Sequence, residues 1–205
     1  MRFYCLSDNH GDGPQGRQKS LNGEIILHAG DYYDKGNPKV NRSWEEDVFP
    51  NNDLLIVRGN HDCVESELLE KHDLTMGLSR AGDLWIVGLG WCYHRYDRLP
   101  PEALMSQVVL RLLTACSQVM GDGEPSILLT HYAPHNQFLR NKEGWTFHSV
   151  SKLCEALRPV AIVSGHLHSA HGRTLNHDGS LLVFPGPKGG FLEIDEDFNA
   201  KWEGA

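Results

Sequence analysis

Five short blocks gather the residues that could do chemistry: "SDNHGD" (7–12), "GDYYDKG" (30–36), "RGNHD" (58–62), "THYAPH" (130–135) and "SGHLHS" (164–169). They supply Asp8 and His10, Asp31 and Asp34, Asn60 and His61, His131, and the pair His166 and His168. Each residue alone could simply turn or cap a chain. Taken together the blocks mix carboxylate, amide and imidazole donors and contain no thiolate. Oxygen mixed with imidazole nitrogen suits Mn, Fe, Zn, Co or Ni, rather than a thiolate-rich structural zinc site or an all-oxygen calcium site. Seven candidate ligands, Asp8, His10, Asp31, Asn60, His131, His166 and His168, exceed what one tetrahedral ion needs. They suit two divalent ions about 3.5–4 Å apart that share a carboxylate, an arrangement used for in-line displacement at phosphorus.

The elements that must position these blocks are legible as apolar runs: 3–7, 24–30, 53–59, 84–90, 126–131, 160–166, 181–186 and 191–195. Near-continuous hydrophobicity predicts strands covered on both faces. Residues 101–120 carry Met105, Val108, Val109, Leu112, Cys116, Val119 and Met120 at helical spacing, with Pro101 suited to the first position and Gly121 to the stop. Residues 149–157 repeat the pattern and end before Pro159, and a shorter helix is predicted over 65–72. Segment 11–23 reads as loop with at most a short helix. Strands alternating with helices predict an α/β layered domain. Every candidate block falls just past a strand, and the carboxyl ends of strands in such a sheet converge on one crevice.

The composition narrows the partners. With 205 residues and 40% hydrophobic content, the chain predicts one domain over 1–205. A formal net charge of −8 gives no overall attraction to nucleic acid or anionic membrane, so a phosphate-bearing substrate needs a local positive centre, which two metal ions would provide. The five cysteines, Cys5, Cys63, Cys92, Cys116 and Cys154, form no C-x-x-C pair, which points to a reducing compartment. The start "MRFYCLSD" lacks the regions of a signal peptide, and no apolar stretch reaches the roughly 18 residues of a membrane span. The expectation is a cytoplasmic protein with no membrane partner.

The blocks resemble the pattern of the calcineurin-like metallophosphoesterases: D-x-H, G-D-x-x-D-x-G, G-N-H-[DE], a single His, then G-H-x-H. The resemblance implies a fold of two packed mixed β-sheets flanked by α-helices, an αββα sandwich. It implies one metal on Asp8, His10, Asp31 and His168, and the other on Asp31, Asn60, His131 and His166, with Asp31 bridging. His61 becomes the non-ligand catalytic histidine and Asp34 its orienter, while Asp62 caps or orients the turn into the next helix. Manganese is the first expectation for both ions, with Fe, Zn, Ni or Co also fitting. The chemistry implied is hydrolysis of a phosphoester by a hydroxide held between the metals, without a covalent enzyme intermediate.

Departures within the pattern bear on substrate. The serine/threonine protein phosphatases of the superfamily carry Arg in place of Lys35 and Glu in place of Asp62. The closing "GHLH" is the phosphodiesterase-like form of the last block. The reading therefore favours nucleotide-type or small phosphodiesters, with nucleic-acid ends as a further partner. A phosphomonoesterase is the alternative, and a non-catalytic scaffold of the same fold ranks last because His61 and all ligand candidates are kept. Arg58, His94 and Arg95 are candidate substrate contacts; Lys35, Arg140 and Lys142 are weaker ones. Trp91, Tyr93 and Tyr96 could stack a base, although packing is their default. His28 reads as a core histidine, His135 as a loop residue, and His72, His148, His171 and His177 show no ligand spacing.

Overall fold

The computed structural model describes residues 1–14, 16–34, 44–63, 65–91, 100–139 and 146–204, with the backbone alone for 16, 45 and 46. Five strands build one mixed sheet: β1 (Arg2–Leu6), β2 (Ile25–His28), β3 (Asp53–Ile56), β12 (Gly190–Ile194) and β13 (Ala200–Gly204), in the order β13-β12-β1-β2-β3. Six build a second: β4 (Leu78–Ala81), β5 (Leu84–Leu89), β6 (Ser126–Thr130), β9 (Ala161–Ser164), β10 (Arg173–His177) and β11 (Ser180–Phe184), in the order β10-β11-β9-β6-β5-β4. A small pair, β7 (Ala133–Pro134) and β8 (Thr146–Phe147), lies apart. The central strands β1, β2 and β3 run parallel, as do β5, β6, β9 and β11. Antiparallel strands sit at the edges: β12 and β13 on one sheet, β4 and β10 on the other.

The two-faced hydrophobicity of the central strands has its cause in three apolar layers. Phe3, Cys5 and Leu27 of the first sheet meet Ile86, Ile127, Leu129 and Val163 of the second, and all are buried. The alternate residues of the second sheet, Val87, Leu128, Ile162 and Leu182, pack on Met105, Val109, Leu112, Val150 and Leu153. Those side chains line α2 (Glu102–Val119) and α3 (His148–Leu157). The alternate residues of the first sheet, Tyr4, Leu6, Ile26 and Ile56, are covered by Trp44, Val48 and Phe49 and by Leu69 of α1 (Glu67–His72). Each such Leu, Ile or Val adds about 1.5–3 kcal/mol by leaving water.

The helices end near the expected stops, while α2 begins at Glu102 with Pro101 at its cap rather than at the first position. Pro101 stands immediately before α2, its carbonyl accepting the N–H groups of Leu104 and Met105. Arg158, in the left-handed region at φ 46°, ends α3 just ahead of Pro159. Segment 11–23 holds only the short 3-10 turn Gly16–Ser20. Strands β4, β10 and β13 were not expected. They are edge strands whose residues alternate or stay exposed, so they lack the continuous apolar signal of the centre. The β10–β11 hairpin nevertheless carries its signal in Asp178-Gly179, both at positive φ, the pattern of a tight hairpin turn. No helix among the described residues is long and apolar enough to cross a membrane.

Candidate metal centre

The loops leaving β1, β2, β3, β6 and β9 meet at one edge because their backbones continue to pair beyond the strands. Asp8 N–H donates to the Gly30 carbonyl (2.9 Å), His10 N–H to that of Asp31 (3.0 Å) and Gly11 N–H to that of Tyr32 (2.9 Å). This close approach requires glycine. A Cβ at Gly30 would lie 2.6 Å from His131 Nδ1, and one at Gly59 2.6 Å from the Asp31 nitrogen. Asp8, His10, Asp31 and His166 all hold positive φ, between 47° and 67°. Non-glycine residues rarely adopt it, and such strain persists where surrounding structure imposes it, commonly at functional sites.

Asp62 is the hub of these loops. It is fully buried, and its Oδ2 accepts the N–H groups of Asp31 (2.7 Å) and Gly59 (2.8 Å) while Oδ1 accepts that of Tyr33 (2.9 Å). It does not cap the next helix, since α1 begins only at Glu67 after Ser66. It orients the "GDYYD" loop against the "GNHD" loop instead.

The candidate ligands fall into groups with mutually close donor atoms. Asp8, His10, Asp31 and His168 form one; Asp31, His131 and His166 form another; all donor atoms within a group lie within 4.8 Å of one another. Asp31 is common to both. Its Oδ2 faces His131 Nε2 at 3.4 Å and His10 Nε2 at 3.9 Å, while Oδ1 accepts the His61 N–H at 2.9 Å. Asn60 joins the second group, with Oδ1 3.1 Å from His131 Nε2.

The donor set fits cations on physical grounds. His131 Nδ1 lies 2.8 Å from the Ala29 carbonyl, which assigns the ring proton to Nδ1 and leaves a lone pair on Nε2. Burial lowers the His131 pKa to about 4, so the ring is neutral at pH 7. That lone pair faces the Asn60 oxygen, the Asp31 carboxylate and, at 3.2 Å, His166 Nδ1. His10 Nε2 and His168 Nε2 likewise approach to 3.1 Å, and burial brings His10 down to about 4. Burial, with Asp62 and Asp8 close by, pushes Asp31 well above the usual carboxylate range. Wherever two such electron pairs meet with no proton between them, they repel until a cation stands there.

His61 sits beside these groups, its ring 4.6 Å from that of His10 and its Nδ1 3.5 Å from Asp34 Oδ1. His10, Asp34 and His61 form a third cluster of close donor atoms. Burial lowers the His61 pKa and Asp34 opposes that shift.

The substrate candidates fare differently. The Arg58 Nε is bonded to Asp73 Oδ2 at 2.6 Å, so its guanidinium is anchored on the segment after α1. His94 and Arg95 lie outside the described residues, as do Lys35, Tyr93, Tyr96, Arg140 and Lys142. Trp91 packs against the helix-side core. His28 is a buried core residue, Nε2 to Asn9 Oδ1 at 2.9 Å. His135 stacks on His148 with ring centres 4.1 Å apart. One residue was missed: His171, whose Nε2 lies 3.1 Å from Asp8 Oδ2. A signal existed in its position three residues after His168, within the same turn.

Two mixed sheets packed face to face, with paired carboxylate and imidazole clusters at their carboxyl edge, define a metallophosphoesterase-type fold. The chain belongs to the calcineurin-like phosphoesterase family, whose pattern matches residues 1–170. Among solved structures, TT1561 of Thermus thermophilus superposes with a TM-score of 0.69 at 16% identity, covering 99% of this chain and 98% of that one. The phosphopantetheinyl hydrolase PptH of Mycobacterium tuberculosis gives 0.58 at 16%, covering 90% and 88%. The UPF0046 protein K07C11.7 of Caenorhabditis elegans is 23% identical over 208 residues, covering 89% of this chain and 68% of the relative. At these identities the likeness to solved structures is one of fold.

Proposed function

We propose that this protein is a metal-dependent phosphodiesterase acting on nucleotide-type or small phosphodiesters, nucleic-acid ends included. It would hold two divalent ions, manganese first among the candidates, with Fe, Zn, Ni or Co able to replace it. Asp8, His10, Asp31 and His168 would carry one ion, and Asp31, Asn60, His131 and His166 the other. The observation that carries this reading is the unprotonated His131 Nε2 facing the Asp31 and Asn60 oxygens at 3.4 and 3.1 Å. When bound, the ions supply an activated water and positive charge for the phosphoryl oxygens.

The protein's own groups do the rest. Asp31 and His131 hold their positions through backbone partners, His61 N–H and the Ala29 carbonyl. With Nδ1 turned to Asp34, His61 exchanges protons through Nε2: it takes one as the nucleophile forms and returns one to the leaving oxygen. That transfer matters most for a diester with a poor leaving group. Asp62 in place of Glu, Lys35 in place of Arg, and His168 in the first group support the diester over a phosphoprotein substrate. Among the described residues, the free thiols of Cys5, Cys116 and Cys154 support a cytoplasmic setting.

The test is hydrolysis by manganese-loaded protein of bis-p-nitrophenyl phosphate beside p-nitrophenyl phosphate. We expect EDTA to abolish activity, manganese to restore it, and kcat/KM to be higher on the diester. A clear preference for the monoester would make the protein a phosphomonoesterase. Two bound ions with turnover of neither substrate would make it a scaffold.

A further inference from the structure

We infer that His171 is a positioning residue that holds Asp8 to coordination through a single oxygen, and so sets the affinity of one metal position of the two. The inference rests on the reading of Asp8 as a ligand.

The Asp8 side chain is wholly buried, and its two oxygens are unequally occupied. Oδ2 accepts the Ser7 hydroxyl at 2.5 Å and His171 Nε2 at 3.1 Å. Oδ1 accepts the His166 N–H at 2.9 Å and faces His168 Nε2 at 3.5 Å. Each carboxylate oxygen has two lone pairs. Both on Oδ2 are engaged, so Oδ1 alone has one to give a cation. Burial favours the protonated acid, but the bonds from His168 and His171, with His131 and Ser7, outweigh it and hold Asp8 well below the usual carboxylate range.

The two donors to Oδ2 are not equivalent. Ser7 is the chain neighbour of Asp8 and moves with it. His171 arrives from 163 residues away, at the end of the turn that carries His166 and His168. It therefore ties the β1 loop to the β9 loop and fixes Asp8 relative to the histidines that share its ion. His171 belongs to none of the close donor groups, as expected of a residue that acts through Asp8.

A built support keeps the ring there. Gly186, at φ 64°, presents bare backbone to it, and a Cβ would fall 2.6 Å from His171 Cγ. The Gly186 carbonyl also accepts the Ser7 N–H at 3.1 Å, and Gly172 N–H bonds the Phe184 carbonyl at 2.7 Å. Both donors to Oδ2 are thus seated on the turn after β11.

The test compares His171→Phe, His171→Gln and Gly186→Ala in the full chain, titrated with Co²⁺ or Mn²⁺. Bound metal is counted after equilibrium dialysis, and the Co²⁺ visible spectrum reports the shells. Wild type should bind two ions. His171→Phe and Gly186→Ala should each keep one ion tightly and weaken the other by about 10–100-fold, the usual cost of losing a hydrogen-bond partner of a ligand. His171→Gln, whose amide N–H can reach Oδ2, should recover most of that loss. Melting curves of the metal-free variants report folding, and Gly186→Ala carries the comparison should His171→Phe not fold. Wild-type affinity at both positions in a folded His171→Phe, or equal loss in Phe and Gln, would overturn the inference. A wild type that binds fewer than two ions would overturn the dinuclear reading itself before any variant is compared.

Discussion

At the scale of single residues, His61 and Asp31 lie close together and should fail differently. The His61 side chain contacts Asp34 and the His10 ring, and its backbone N–H bonds Asp31 Oδ1. Removing the ring should therefore leave both ion positions intact. We expect His61→Ala to retain metal content near wild type while kcat on the diester falls by about 10²–10⁴-fold, the worth of general acid–base help. The loss should be smaller on an activated monoester, whose leaving group needs little protonation. Asp31→Ala should instead lose metal and activity together, because its Oδ2 faces both groups. Metal analysis of the two purified variants separates these outcomes. Loss of metal from His61→Ala would make it a ligand in the third cluster with His10 and Asp34.

At the scale of elements, the loops rather than the strands carry the specification of the site, and Asp62 shows how. Its two oxygens accept three backbone N–H groups from two loops. In Asp62→Asn one oxygen becomes an NH₂ donor, so at least one buried N–H loses its acceptor at about 1–3 kcal/mol. For a domain of this length, that lowers Tm by several degrees. Metal affinity should fall as well, since Asp31 N–H is one of the three. A differential scanning run and a metal titration on the variant check both. An unchanged Tm would remove Asp62 from this role. The role was only half legible in the sequence. The position of Asp62 in "GNHD" placed it at the site, but no local pattern says that its partners lie 29 and 31 residues upstream. His171 was hidden for the same reason, as its partner is Asp8. The donor clusters and central strands could be read because each is a local pattern, a polar block or a continuous apolar run. Edge strands such as β13, and bonds that cross from one loop to another, are set by tertiary packing.

For the whole molecule, a crowd of buried neutral imidazoles makes folding sensitive to acid. Burial lowers His28 to about 3 and His10 and His131 to about 4, and takes His166 well below its ordinary value. Unfolded, each would titrate near 6.5. Between about pH 6.5 and 4 the unfolded chain therefore binds more protons at these four sites than the folded one, so stability falls as pH drops through that window. Asp62, raised by burial to about 6, and Asp31, raised by burial and by Asp62 and Asp8, pull the other way, since the folded state holds their protons more tightly. The four histidines outnumber the two carboxylates, and the net slope should be loss of stability in acid. Divalent ions on the proposed site would add a second dependence. They would bind the deprotonated donors of the folded state only, and at a hundred times Kd would contribute about 2.7 kcal/mol. As pH falls through this range, protons compete for Asp31, whose proton burial and the neighbouring Asp62 and Asp8 hold tightly, and that increment shrinks. We expect the Tm of metal-free protein to fall between pH 7.5 and 5.5. Manganese should raise Tm at pH 7.5, and the two curves should converge towards pH 5.5. Parallel curves across that range would mean that the ions do not depend on the Asp31 carboxylate.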